Sequence, residues 1–308
     1  MSKYAFLFPG QGAQQVGMGR DLAAAYPTCR RLFAEANDVL GFDLATICFD
    51  GPEAELTRSN HAQPGIFVVS AAAYAVLQEE RPALQPTALA GLSSGEWAAL
   101  YAAGAVSFAD ALRVLEARGR FMQAACEQNA GTMLSVIGLT VDQLRPLAAE
   151  CGVAIANLNS PAQTVLSGTV DGIAQAEAAA KAAGAKRALR LNVAGAFHSE
   201  LMASAAELLQ AFLTDIEIAA PRVPVISNVT GQPFTSVEEI REKMVQQVTQ
   251  SVRWVDSIRW MRTAGIDHFI ECGPGKVLAG LVKRIDKAAT IHNIQDRSSL
   301  EAIPEQTM

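Results

Sequence analysis

Apolar residues run without a polar break from Ala5 to Phe8, and Tyr4 begins the run. The chain then turns glycine-rich and polar through Pro9-Gly10-Gln11-Gly12-Ala13-Gln14-Gln15. A short, continuous apolar run closed by Pro-Gly predicts a buried strand feeding a loop. Helical periodicity follows around Asp21–Leu40. A long apolar helix is predicted from Gly65 to Glu80, after a break at Gln63-Pro64 and stopped by Arg81-Pro82. Thr87–Ala90 reads as a second strand and Glu96–Tyr101 as a helix. Ser107 is placed to cap a further helix, which carries Arg118 and ends near Cys126.

The texture changes between Thr132 and Asn192. Strands are predicted at Thr132–Leu139, Val153–Leu158, Thr164–Ser167 and Arg187–Leu191, with helices at Thr140–Cys151 and Val170–Ala183. That β-α-β-β-α-β order is the ferredoxin-like unit. It lies between a long helix and Phe197-His198, so it reads as a small domain inserted in a larger one. Beyond it come a helix at Glu200–Leu213, a strand at Val223–Ser227, and helices at Val237–Val248 and Val255–Ala264. A strand at His268–Glu271 and a final helix at Lys276–Ile285 follow, and Glu301–Met308 reads as a frayed tail. The expected fold class is α/β: an α/β-hydrolase-like large subdomain, residues 1–128 and 197–308, holding a ferredoxin-like small subdomain at 129–196.

The predicted strand-to-helix junction reads Gly91-Leu92-Ser93-Ser94-Gly95-Glu96. A G-x-S-x-G there is a nucleophile elbow, whose glycines allow the sharp turn that exposes the serine. A serine capping a helix at a glycine-rich turn would give the same letters. A serine nucleophile needs a base, and the chain has four histidines: His61, His198, His268 and His292. His198 sits in the loop after the insert, where functional residues gather, but pattern alone does not decide among the four. An oxyanion hole needs two backbone N–H groups. Ser94 follows the nucleophile, and Gly10-Gln11-Gly12 can bring up a second amide. The spacing of that loop matches neither a dinucleotide fingerprint nor a phosphate loop. Arg118 reads either as a solvated helix residue or as a guanidinium aimed at a carboxylate. Glu96, in the first turn of its helix, suits the helix dipole.

Composition narrows the class. Half of the 308 residues are hydrophobic, 18% are charged and the formal net charge is −6, which suits a compact enzyme and gives a nucleic-acid partner no support. The five cysteines are scattered and odd in number, which suggests reduced thiols and no metal site. The opening apolar run is too short for a signal peptide and no run approaches a membrane span. A cytoplasmic protein without membrane association is expected.

Six segments carry a resemblance. They are Phe8-Pro9-Gly10-Gln11-Gly12-Ala13-Gln14, Gly91-Leu92-Ser93-Ser94-Gly95-Glu96, Arg118-Gly119-Arg120-Phe121-Met122-Gln123, Asn157-Leu158-Asn159-Ser160-Pro161-Ala162-Gln163, Ala196-Phe197-His198-Ser199 and Glu271-Cys272-Gly273-Pro274-Gly275. In order and in kind the chain resembles the malonyl-CoA:acyl carrier protein transacylases, and the related acyltransferase domains of fatty-acid and polyketide synthases, over about residues 4 to 290. The resemblance implies Ser93 as acyl carrier and His198 as general base. It implies the Gln11 and Ser94 amides as oxyanion donors and Arg118 as partner of the malonate carboxylate. Gln247 would orient His198 through its backbone carbonyl, and Phe197 would narrow the pocket against an α-methyl branch. Malonyl-CoA and acyl carrier protein are the implied partners of a monomer that needs no metal or other cofactor. The alternatives are transfer within a polyketide pathway and a serine thioesterase. A basic rim for the acidic carrier could draw on Lys186, Arg187, Arg190, Lys283 and Arg284, which read equally as solvated element ends. Two positions depart from the family pattern: Leu92 replaces a histidine and Ser251 a proline.

Overall fold

The computed structural model describes residues 3–304. Its larger sheet has five parallel strands in the order β7-β2-β1-β8-β9. They are β1 (Tyr4–Phe8), β2 (Pro86–Gly91), β7 (Val225–Ile226), β8 (His268–Cys272) and β9 (Thr290–Ile294). Alternation along the strands divides two cores. Phe6, Phe8, Leu89, Val225 and Ile270 face one, with the helices Ser59–Glu80, Gly95–Ala102 and Phe108–Gln128. Ala5, Leu7, Ala88, Ala90, Ile226 and Phe269 face the other, under Trp254–Thr263 and Val277–Ile285. A parallel sheet covered on both faces needs apolar residues at odd and even positions alike, which is why β1 has no polar break.

The insert forms a second sheet in the order β4-β5-β3-β6, antiparallel throughout. Its strands are β3 (Gly131–Ile137), β4 (Ala154–Ser160), β5 (Gln163–Thr169) and β6 (Arg187–Arg190). Leu134, Val136 and Leu166 pack under its own helices, Val141–Glu150 and Val170–Ala182. Met133, Ala156 and Val165 point the other way, into the main core. Thr140 is the N-cap of the first of these helices and forms a capping box with Gln143. The β4 edge is tied to the larger unit. Val252 N–H donates to Ala156 O at 2.8 Å, and Leu158 N–H donates to Val252 O at 2.9 Å.

Four expectations need correcting. The long helix begins at Ser59 and runs through Pro64. Proline there removes one N–H, but the first turns are held by packing: Gly119 lies so close that a Cβ on it would collide with Ser59 O. The segment after His198 begins as a 3₁₀ turn, Glu200–Met202, before the helix Ala203–Phe212. Lys276–Ile285 does not close the fold, because β9 and a helix at Arg297–Glu301 follow. Asp286 N–H still bonds to Val282 O, and the half-buried β9 completes the sheet edge beside β8. The tail expected from Glu301 overlaps that last helix, and residues 305–308 lie outside the described region.

The E-x-G-P-G segment begins in β8 at Glu271 and runs past its end. Glu271 accepts the N–H groups of Leu278 (3.0 Å) and Ala279 (2.9 Å) at the start of the next helix. A Cβ at Gly273 would strike Pro9 and Ser70, so this loop can lie against the one after β1 only as glycine.

Candidate active site

The β2-to-helix turn holds Ser93 at φ 53°, a left-handed conformation costly for any residue with a Cβ. Its flanking glycines are required by contact. A Cβ at Gly91 would collide with the Gly95 carbonyl, and one at Gly95 with the Phe8 carbonyl. Asn228 holds the turn from the end of β7: its Oδ1 accepts Ser93 N–H at 2.7 Å and its Nδ2 donates to Gly91 O at 2.7 Å. Sequence reasoning passed over Asn228, because an asparagine just after a two-residue strand reads as an ordinary turn residue.

His198 is brought to Ser93 by the loop after β6. Its Nε2 lies 2.9 Å from Ser93 Oγ, and its Nδ1 lies 2.7 Å from the Gln247 backbone oxygen. A carbonyl can only accept, so Nδ1 carries the proton and Nε2 faces the serine as an acceptor. Burial, and then the nearby Arg118 charge, push His198 down to about 4 against the opposing pull of the Gln247 carbonyl. The ring is therefore neutral at pH 7. The other histidines lie elsewhere. His61 is in the long helix with Nδ1 2.9 Å from Glu55 O, His268 stacks on Tyr4 at 5.0 Å, and His292 is on the edge strand β9.

Arg118 is 1% exposed, which excludes the solvated-face reading. One terminal nitrogen donates to Gln63 Oε1 at 2.7 Å; the other donates to Gln247 Oε1 at 2.9 Å and to Ser93 Oγ at 3.2 Å. Its Nε is buried without a hydrogen-bond partner among the described residues. Gln63 passes the chain on, donating to Gln11 Oε1 at 3.1 Å, and Gln11 Nε2 donates to Ser59 Oγ at 3.0 Å. Burial pulls Arg118 down to about 10, opposed by the charge of Glu96. Sequence reasoning missed Gln63 because Pro64 hid the helix that carries it.

Glu96 does more than meet a helix dipole. It is 1% exposed, its Oε1 accepts Asn228 N–H at 3.0 Å, and its Oε2 accepts from Gln247 Nε2. Burial pushes its carboxyl up from the usual range, and both donors and Arg118 pull against that shift. Gln247 Nε2 also donates to Ser93 O at 3.1 Å.

The loop after β1 approaches the elbow closely. A Cβ at Gly10 would collide with Leu92 O, and Gln11 N–H donates to Ser94 Oγ at 3.2 Å. A cleft of about 540 Å³ opens between the larger unit and the insert, lined among others by Gln11, Leu92, Met122, Met133, Val165 and Phe197. Asn157 and Asn159 reach it from the insert. Leu92 is half-buried and packs against the second core, while Ser251 bonds to Ile155 O, so both departures are accommodated by local contacts. Of the basic residues, Arg190 pairs with Glu177 at 2.8 Å, Arg284 donates to Gln163 at 2.8 Å and Lys283 to Ala289 O at 2.6 Å. Among the described residues no cluster of three or more His, Cys, Asp or Glu could hold a metal ion, and no helix is long and apolar enough to cross a membrane.

A half-buried elbow serine, an oriented neutral imidazole and a buried guanidinium share one hydrogen-bonded cluster, an arrangement fit for acyl transfer. The chain belongs to the acyl transferase domain family, whose profile matches residues 5–305. It is 41% identical over 309 residues to the malonyl CoA-acyl carrier protein transacylase of Escherichia coli (strain K12), covering 99% of this chain and 100% of that one. The solved acyl carrier protein S-malonyltransferase of Vibrio cholerae superposes with a TM-score of 0.95 at 40% identity, covering 98% of this chain and 100% of that one. A malonyl-transacylase solved in complex with its type II polyketide acyl-carrier protein gives 0.94 at 40% identity, covering 97% and 98%.

Proposed function

We propose that this enzyme moves malonyl from malonyl-CoA to the phosphopantetheine thiol of an acyl carrier protein through an ester on Ser93, supplying fatty-acid chain elongation. One observation carries the substrate: a buried guanidinium, held by neutral amides and with Nε left over, sits 3.2 Å from the expected nucleophile. A free carboxylate on the acyl group meets that guanidinium, whereas acetyl would leave it unpaired.

The geometry supports a ping-pong sequence. Ser93 Oγ attacks the thioester carbonyl as His198 Nε2 takes its proton, and the Ser94 N–H, with the Gln11 N–H once it leaves Ser94 Oγ, would hold the oxyanion. The C–S bond breaks, and the imidazolium returns the proton to the departing CoA sulfur. His198 next takes the proton of the carrier thiol, whose sulfur attacks the malonyl ester, and Ser93 Oγ leaves with that proton. The Gln247 carbonyl does the orienting work that an aspartate does in a Ser-His-Asp triad. Phe197, 8% exposed and lining the cleft, would narrow it against an α-methyl group, a preference worth about 1–3 kcal/mol.

The same reading takes the larger unit as α/β-hydrolase-like (1–128 and 197–308) and the insert, 129–196, as ferredoxin-like. It has the protein act as a cytoplasmic monomer, without metal, other cofactor, membrane or nucleic acid. Intact-mass measurement tests the function: malonyl-CoA should leave a malonyl adduct on the enzyme, absent from Ser93→Ala and discharged to holo carrier protein. Discharge to water alone would make it a thioesterase. Likeness to a transacylase solved with a polyketide carrier favours, as a second reading, supply to such a carrier, and loading rates on fatty-acid and polyketide carriers separate the two.

A further inference from the structure

Arg118 is almost fully buried, yet its hydrogen-bond partners are two amide oxygens and a hydroxyl. A buried cation without a counter-charge is costly, by several kcal/mol in proteins. A carboxylate directly on the guanidinium would remove that cost, but it would occupy the donors that a substrate carboxylate needs.

The hydrogen-bond directions resolve this conflict. Both glutamines beside Arg118 present oxygen to it and pass N–H outward. On one side the chain runs through Gln63 and Gln11 to the Ser59 hydroxyl. On the other it runs through Gln247 to the Glu96 carboxylate. Gln247 cannot be turned over, because its Nε2 faces two acceptors, Glu96 Oε2 and Ser93 O, while its Oε1 faces a donor. Both Glu96 oxygens face N–H donors, Gln247 Nε2 and Asn228 N, and these bonds with the Arg118 charge favour the ionised carboxylate against the burial that pushes the group up to about 8.

We propose that Glu96 is a positioning residue and the counter-charge of Arg118, acting at one remove through the Gln247 side chain. It holds the guanidinium in place and lowers the cost of its burial while leaving its donors to the acyl carboxylate. The part of this proposal that concerns substrate selection rests on the malonyl reading above. The pairing of the two charges does not.

Glu96→Gln keeps the volume but leaves one acceptor oxygen for two N–H donors, so its NH2 confronts either Gln247 Nε2 or Asn228 N. Two measurements separate the outcomes. In the first, kcat/KM is measured with malonyl-CoA and acetyl-CoA. Glu96→Gln should lower the malonyl-to-acetyl ratio by about tenfold or more, mainly by raising the malonyl KM, and Glu96→Asp should restore part of it. Gln247→Met retains the backbone carbonyl that holds His198, and it should lower the same ratio. Equal losses for both donors would overturn the substrate-selecting part of the proposal. In the second, a double-mutant cycle on urea stability pairs Glu96→Gln with Arg118→Met. Glu96→Gln should destabilise the native chain and cost less, or stabilise, where Arg118 is gone. The same change in both backgrounds would overturn the pairing whatever the substrate. Clear coupling in an enzyme that loads no malonyl would keep the pairing and reject the malonyl reading.

Discussion

Ser93 and His198 are the two non-glycine residues of the described chain at positive φ, 53° and 57°, and their side chains meet at 2.9 Å. Such backbone costs about 1–3 kcal/mol per residue and persists only where its surroundings over-determine it. For Ser93 these are the flanking glycines and Asn228; for His198, the Gln247 carbonyl.

Asn228→Ala should therefore act on the reaction through the backbone. It removes the acceptor of Ser93 N–H and the donor to Gly91 O, and leaving them buried and unpaired costs about 1–3 kcal/mol each. Urea unfolding should show the lost stability, and stopped-flow acylation should show slower loading of Ser93. Unchanged loading in a folded variant would remove Asn228 from the site.

His198→Ala should lower kcat/KM by about 10²–10⁴ with the fold retained, the usual range for a general base. Replacing His61, which bonds to Glu55 O in the long helix, should leave the loading rate near that of the native enzyme. The two variants measured side by side by mass spectrometry check the choice of base.

Arg118→Ala should reduce malonyl transfer far more than acetyl transfer, because the guanidinium meets only the donor that carries a free carboxylate. Steady-state kinetics with both donors gives the ratio. A parallel loss for both would mean that Arg118 acts through its contacts with Gln63, Gln247 and Ser93 and not by meeting the acyl carboxylate.

The depressed His198 predicts an unusual pH profile. With the free-enzyme ring at about 4, the base form is present at pH 5, so the acid limb of kcat/KM should fall near pH 4 and not near 6.5. The stability effect has a definite sign. Between about 6.5 and 4 the unfolded ring binds a proton that the folded ring refuses, so this group costs stability as pH falls through that window. Denaturant titrations of native and His198→Gln enzyme should converge as pH drops, with the native form losing more. An acid limb at 6.5 would contradict the burial argument.

Much of this was legible in the letters because the constraints were local. The elbow needs glycine on both sides of Ser93, β1 needs apolar residues on both faces, and Ser107 caps its helix through Asp110 N–H at 3.0 Å. What stayed hidden depended on contacts distant in sequence. Pro64 reads as a break until Gly119 is seen packed on that helix, and β9 reads as polar because it is an edge strand. Gln63 and Asn228 carry no local signal at all. Each is defined by a partner at least 55 residues away, Arg118 in one case and Ser93 in the other. The resemblance supplied Gln247 for its carbonyl, but its side chain, joining Arg118 to Glu96, came only from the fold.

The tie between Val252 and β4 closes one edge of the small sheet. An open four-stranded sheet has two raw edges, each a template for a strand of another molecule. On the insert, Val252 takes the backbone groups of Ala156 and Leu158 along one edge. The other is the four-residue β6, with Arg187 and Arg190 exposed at its ends, and a short strand bearing charge is a poor template for pairing. The small sheet thus covers one edge with the parent fold and sets an arginine at each end of the other.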